Sequence, residues 1–464
     1  MNTELQTISP INGAVIVRRP YATLAQAGDL LERAAAAQAA WRHVSLTERA
    51  ALVSQGVDAF VARKAEIAEE LTHQMGRPIR YTPGEVGGFE ARARHMIGIA
   101  ETALHDVQPA PIDGFNRFVR RDPLGVVLVI APWNYPLLTA VNAVVPALMA
   151  GNAVVLKHSA QTPLAAERIV EAFTLGGLPA GLLQFIHTDH DGTQALIKSP
   201  RVNGVCFTGS VAGGAAVERA AAGRFIQVGL ELGGNDPAYV RADARLDHAV
   251  ETLVDGAFFN SGQSCCGIQR IYVHRSVYSQ FVDQAVVLTR QYVLGDPLDA
   301  QTTLGPVVRV AAADAVRATV AEAVAKGAKG LIDARKFSRD APGSAYVAPQ
   351  ILVDVNHGMQ IMNDECFGPV VGIMPVASDD EALRLMNDSP FGLTAALFTQ
   401  DEAAALHLGE RLHTGTVFMN RCDYLDPALA WTGVKNTGRG ATLSSLGYEH
   451  LTRPKSFHLK RLAG

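Results

Sequence analysis

Two residues of this 464-residue chain are of types that together oxidise a carbonyl carbon: Cys265, in the stretch FFNSGQSCCG from Phe258 to Gly267, and Glu231, upstream in LELGGNDP. A cysteine sulfur adds covalently to an electrophilic carbon, and a separate carboxylate activates the water that later releases the product. That division of labour describes oxidation through an acyl-enzyme. A cysteine taken alone reads as a small buried hydrophobe, because reactivity needs exposure and a lowered pKa. Here the surroundings argue otherwise. Gly262 and Gly267 permit unusual backbone, Asn260, Gln263 and Ser264 are polar, and the stretch interrupts a helical pattern that begins near Asp247. Cys265 is therefore favoured over Cys206, Cys366 and Cys422, and the adjacent Cys266 is its nearest rival.

The elements that must position these residues read as α/β. From Gly125 onward, short apolar runs alternate with longer helical stretches, the pattern of a parallel sheet covered by helices. GVVLVIA, NAVVLK, LLQFIHT, VNGVCFTG and FIQVGLELGG read as strands, and PLLTAVNAVVPALMA, TPLAAERIVEAF and SVAGGAAVERAAA as helices. The expected arrangement is a Rossmann-like, doubly wound domain that binds its ligand outside the carboxyl ends of the strands. The Gly-x-Gly-x-x-Gly fingerprint of such domains is missing. FTGSVAGG offers a partial substitute: Gly209 and Ser210 follow a strand, and Gly213 and Gly214 open a helix whose amides could face a diphosphate. A second α/β region begins after Gly234, with strands at RIYVH, APQILVDV and VVGIMPV, and it carries Cys265. Ala22 to Ala103 reads as helices packed beside the sheet, and ERAALVSQGVDAFVARKAEIAEEL within it as an amphipathic helix without chemistry.

Composition narrows the partners. Hydrophobic residues make up 48% of the chain and charged residues 19%, which is globular, and a net charge of −4 gives no electrostatic case for nucleic acid or an anionic membrane. A small molecule is the expected partner. Five cysteines and an N-terminus without an apolar signal region point to reduced thiols in the cytoplasm. Pro123 to Leu156 holds no Asp, Glu, Lys or Arg, but Pro132, Pro136 and Pro146, with Asn134 and Asn142, break it into strand, turn and helix rather than a membrane span. The fourteen histidines show no metal-ligand spacing, and no metal is expected.

Five short motifs, PWNYP at 132–136, FTGS at 207–210, LELGG at 230–234, GQSC at 262–265 and ECFGPV at 365–370, resemble the signatures of the aldehyde dehydrogenase superfamily and stand in its order. The resemblance implies NAD- or NADP-dependent oxidation of an aldehyde to its acid. Cys265 would be the nucleophile, Glu231 the base that activates water for deacylation, and the Asn134 side chain with the Cys265 backbone N–H the oxyanion hole. Glu365 and Phe367 would hold the nicotinamide ribose and ring, and Lys157 the adenine-side ribose. Gly209, Ser210 and Gly214 would flank the diphosphate, and Trp133 would line the groove. The implied domains are residues 1–104 and 124–233 for the cofactor, 234–434 for catalysis, and 105–123 with 447–464 as an oligomerisation hairpin and strand, giving a homodimer or homotetramer. A coenzyme-A-acylating dehydrogenase and a non-redox thiol esterase are the alternatives.

Departures from the family concern specificity. Its usual Lys-Pro-x-Glu segment reads KHSAQTP, placing His158 for Pro and, after Ser159, Ala160 where an acid commonly grips the adenosine 2′-hydroxyl. Losing that carboxylate removes a repulsion against the NADP phosphate, so both NAD and NADP are expected to be accepted. The turn that follows the next family strand reads HTDHDG, and NRCDYLDPALAWTGVKNTGRG puts Ala430 and Trp431 where a Pro-Phe pair is usual. Arg421 in that segment reads as a solvated arginine, with a substrate carboxylate as its alternative partner.

Overall fold

In the computed structural model, which describes residues 3–462, the run VVLVIA forms the strand Val126–Ala131 with every side chain buried. Residues 1–2 and 463–464, the ends of two of the expected segments, lie outside the described residues. A strand apolar on both faces must be covered by other elements; the helices Leu24–Trp41 and Pro136–Met149 both pack on it. Ala153–His158 and then Leu183–Phe185 lie on one side of it, and Val202–Thr208 and then Gln227–Glu231 on the other, all parallel. Numbered along the chain, these five strands run 3-2-1-4-5, the doubly wound order, and the direction of winding reverses between Val126–Ala131 and Val202–Thr208. Gly438–Arg439 adds an antiparallel edge beside Gln227–Glu231.

The second sheet has seven strands. Gln350–Val353, Val370–Val376, Ile268–His274, Asp236–Val240, Thr394–Phe398 and Thr416–Met419 lie side by side in parallel, and Lys329–Gly330 pairs antiparallel at the edge. Besides the two-residue edge Lys329–Gly330, the strands Asp236–Val240, Thr394–Phe398 and Thr416–Met419 are not among those the sequence pattern predicts. DPAYV opens on Asp-Pro and TAALF is alanine-rich, both poor in strand propensity, yet all ten side chains are buried at the centre of the sheet. Packing between neighbouring strands outweighs local preference there.

Only Leu232 to Asn235 separates Glu231, the last residue of a strand in the first sheet, from Asp236, the first of a strand in the second. The carboxyl ends of one sheet therefore meet the amino ends of the other. Cys265 lies just ahead of Ile268–His274, and Glu365 just ahead of Val370–Val376.

Ala22 to Ala103 forms the helices Leu24–Trp41, Leu46–Val61, Lys64–Met75 and Thr82–Ala103, after an unanticipated hairpin of Glu4–Ile8 with Val15–Pro20. Phe115–Pro123 pairs antiparallel with Thr452–Lys460 as a separate two-stranded sheet, with Phe118 stacked on Phe457 at 4.6 Å. Among the described residues no helix is long and apolar enough to cross a membrane. Pro146 lies inside the helix Pro136–Met149 rather than at its end.

Candidate active site

The helix Leu246–Phe258 is followed by three consecutive left-handed residues, Asn260 (φ 53°), Ser261 (φ 57°) and Gly262 (φ 70°). Such backbone persists only when its surroundings over-determine it. Asn260 Nδ2 donates to Gln263 O at 3.1 Å and to Asn134 O at 3.2 Å, Ser261 Oγ donates to Gly305 O at 2.8 Å, and Gln263 Oε1 accepts from Val308 N at 2.7 Å. A Cβ on Gly262 would stand 2.1 Å from Gly368 O, so glycine alone fits. The pinned turn delivers Cys265, half-buried, to the wall of a cavity of about 970 Å³.

The rival residue lines the same cavity but is differently held. Cys266 is 2% exposed, and its thiol donates to Asp423 Oδ1 at 2.9 Å. Contact with the Cys265 sulfur, then burial, pushes the Cys266 thiol well above its ordinary pKa. Burial also pushes the Cys206 and Cys366 thiols up to about 12, and that of Cys422 higher still. Each of these four is held as a neutral thiol.

Glu231 lines the same cavity as Cys265. Its carboxylate accepts hydrogen bonds from Thr208 Oγ1 at 3.0 Å and Thr442 Oγ1 at 2.5 Å. Burial raises its pKa, and the two hydroxyls oppose the rise. Asn134 follows the carboxyl end of Val126–Ala131 and is 5% exposed; its Nδ2 donates to Gln263 O at 3.2 Å, which sets the side chain against the backbone of the nucleophile turn. The Asn134 carbonyl is held in turn by Arg77, whose Nε donates to Asn260 Oδ1 at 3.0 Å and whose Nη1 pairs with the buried Glu85. Cys265 and Glu231, distant in sequence, thus line one cavity, and Asn134 is bonded to the turn that bears Cys265.

The groups expected to hold a dinucleotide lie along the meeting edges of the two sheets. Ser210 caps the helix Val211–Ala221 by accepting from Gly213 N at 3.2 Å, directly after Gly209. A Cβ on Gly214 would lie 2.7 Å from Leu232, so this glycine brings the helix close to the sheet. Glu365 accepts from Gly234 N–H at 3.1 Å, and burial raises its pKa to about 7. Phe367, at φ 53°, meets Trp133 edge to face at 5.6 Å. Lys157 is the last but one residue of the strand Ala153–His158, with its pKa lowered by burial. Ser159 N–H donates to Ala131 O at 3.0 Å, and the Ala160 carbonyl accepts from Thr7 at 2.8 Å, which tethers this edge to the N-terminal hairpin. His158 is buried with both ring nitrogens unpaired, and burial lowers its pKa to about 3, so it is neutral. A doubly wound switch point, a capped glycine turn and a cation at a strand end fit a dinucleotide.

Sequence reasoning missed Arg77, Glu85, Thr208, Thr442 and Asp423 as members of the site. Thr208 lies within FTGS and Arg77 between the helices Lys64–Met75 and Thr82–Ala103, but Thr442 and Asp423 arrive from the C-terminal part with no local signal. Arg421 is exposed over the Tyr424 ring at 3.3 Å and lines the cavity, as does Trp431. Among the described residues no group of three or more His, Cys, Asp or Glu is placed to hold a metal ion.

Comparison with known proteins gives a consistent result. Residues 1–457 match the profile of the family described as "Aldehyde dehydrogenase family". The chain is 34% identical to an NAD(P)+ succinate semialdehyde dehydrogenase of Escherichia coli, over 96% of each chain. It is 33% identical to a betaine aldehyde dehydrogenase of Rhizobium etli, over 98% of this chain and 94% of that one. An NADP-dependent glyceraldehyde-3-phosphate dehydrogenase from Bacillus halodurans C-125, solved with NADP, superposes with a TM-score of 0.93 at 31% identity, covering 99% of this chain and 96% of the other.

Proposed function

The chain belongs to the aldehyde dehydrogenase family, whose members oxidise aldehydes with NAD or NADP, and on that premise we propose that Cys265, Glu231 and Asn134 carry the reaction here. The observation that supports this reading is the opening of Cys265 and Glu231 onto one cavity while the neighbouring thiol is tied to Asp423. The Cys265 sulfur adds to the aldehyde carbon, and the charge that develops on oxygen is received by the Asn134 amide and the Cys265 backbone N–H. A bound nicotinamide dinucleotide supplies the hydride acceptor. Once the carbon has been oxidised, Cys265 holds the acyl group as a thioester. Glu231, oriented by the Thr208 and Thr442 hydroxyls, takes a proton from water as that water attacks. The acid leaves and the thiol is restored.

Glu231 on the cavity wall favours water over coenzyme A as the deacylating nucleophile. A thiol esterase would want a histidine beside the sulfur; His248, which also lines the cavity, is instead bonded to Asn420 O at 2.8 Å. Residues 1–104 and 124–233 form the cofactor half in this reading, and 234–434 the half that bears the nucleophile. The Phe115–Pro123 and Thr452–Lys460 sheet, whose first strand is bridged at Val119 by Val107, offers the outer edge of Thr452–Lys460 for a homodimer or homotetramer. Five free cysteines suit a reducing cytoplasm.

Two expected results arise from this scheme. Asn134→Ala should lower kcat by about 10²- to 10³-fold, the effect of removing one oxyanion donor, with a smaller change in KM; steady-state kinetics at saturating cofactor measures it, and an unchanged kcat removes Asn134 from the scheme. For the cofactor, Ala160 presents a methyl group where a carboxylate would repel a 2′-phosphate. A close charge pair is worth roughly 4 kcal/mol at the protein surface, or about a thousandfold. Wild-type kcat/KM should therefore favour NAD over NADP by much less than that factor, and a preference above it contradicts the assignment of Ala160.

A further inference from the structure

The helix Thr82–Ala103 buries a stripe at helical spacing through Val86, Phe89, Ala93, Met96 and Ala100, and two charged residues are buried with it, Glu85, which pairs with Arg77, and Arg92. Arg92 is 9% exposed at a position where the period calls for an apolar side chain. A buried arginine is ordinarily matched by a carboxylate, because an unpaired charge away from water is costly. Arg92 has none within ion-pair distance among the described residues. Its Nη1 donates to two neutral acceptors, Leu138 O at 3.0 Å and Asn142 Oδ1 at 3.2 Å. Its side chain lines the cavity that also holds Cys265 and Glu231.

The other charges around that cavity are committed or solvated. Glu85 is paired with Arg77, Asp423 accepts from Ser264 and Cys266, and Glu231 accepts from Thr208 and Thr442. Arg80, Arg421, Glu251 and Asp255 are exposed, where water screens them. One enclosed cation remains without an anion, in the space where an aldehyde must lie to reach Cys265.

From this geometry we infer that Arg92 determines specificity: it pairs with a carboxylate at the far end of a short aldehyde, so the substrate class is the semialdehydes of small dicarboxylic acids. The inference rests on Cys265 as nucleophile and goes beyond the comparisons, since a succinate semialdehyde dehydrogenase and a betaine aldehyde dehydrogenase, whose named substrates bear opposite charges, resemble this chain almost equally. The guanidinium fork matches a carboxylate with two parallel hydrogen bonds. A different role is open to the same cation: it could act solely on Glu231, favouring the ionised base. That role would affect every aldehyde alike.

The test compares the full-length wild type, Arg92→Gln and Arg92→Lys. Their kcat/KM is measured for succinic and glutaric semialdehydes and for butanal and pentanal, and the binding of succinate without turnover is measured by calorimetry. The wild type should prefer the anionic aldehydes. Arg92→Gln should cut kcat/KM for them by roughly 10- to 100-fold, mostly through KM, and abolish succinate binding. Its rates with butanal and pentanal should stay within about threefold of wild type. Arg92→Lys, which keeps the charge, should fall between the two and carries the comparison if the glutamine variant does not fold. Equal losses for charged and neutral aldehydes, or a wild type indifferent to substrate charge, overturn the inference. Turnover that survives Cys265→Ala would instead show that the underlying reaction scheme has failed.

Discussion

Cys265→Ala is expected to leave no aldehyde-dependent reduction of the nicotinamide cofactor, with kcat lowered on the order of 10⁶-fold, the scale of deleting a covalent nucleophile. Cys266→Ala should keep activity within about tenfold of wild type, because it removes a neutral thiol that touches the Cys265 sulfur but is itself tied to Asp423. The contrast follows from geometry. Both cysteines line the cavity, but one sulfur belongs to a half-buried residue while the other belongs to a buried one and donates to Asp423. Cofactor absorbance in stopped flow reads both variants. Loss of the first turnover in Cys266→Ala, with its retention in Cys265→Ala, would reverse the assignment.

Glu231→Gln should separate the two halves of the reaction. The first turnover forms about one reduced cofactor per active site, because oxidation of the bound carbon does not require the carboxylate; steady turnover then falls by about 10²- to 10⁴-fold, the usual contribution of a general base. The pH profile gives a second reading. Glu231 acts as a base only when ionised, and burial raises its pKa, so ionisation is completed at a higher pH than for an ordinary carboxylate. Wild-type kcat should therefore rise with pH along a limb displaced above the usual carboxylate range, and that limb should vanish in the glutamine variant. A glutamine variant with neither a burst nor an altered profile would remove Glu231 from deacylation.

The sequence revealed parts of the site that lie within one short segment and concealed parts assembled from several. Cys265 is recognisable because glycines and polar residues surround it in an otherwise helical and apolar context. The doubly wound sheet is recognisable because its strands are apolar runs separated by helical periods. The strands Asp236–Val240 and Thr394–Phe398 escape because they owe their conformation to neighbours in the sheet, not to their own residues. The same holds for the groups that support the chemistry. Thr442 reaches Glu231 from the segment after Gly438–Arg439, and Asp423 reaches Ser264 and Cys266 from the segment that departs from the family. Arg92 is a different case. A charge set in an apolar helical stripe is visible along the sequence, yet only the cavity beside it makes it more than a surface arginine.

The bond between sulfur and substrate is open to direct observation. Glu231→Gln, mixed with an oxidisable aldehyde and the nicotinamide cofactor and quenched in acid, should accumulate the thioester, and mass spectrometry of its peptides should find a single acyl group on Cys265. An acyl group on Cys266, or cofactor reduction with no acylated cysteine at all, would contradict the covalent route through Cys265.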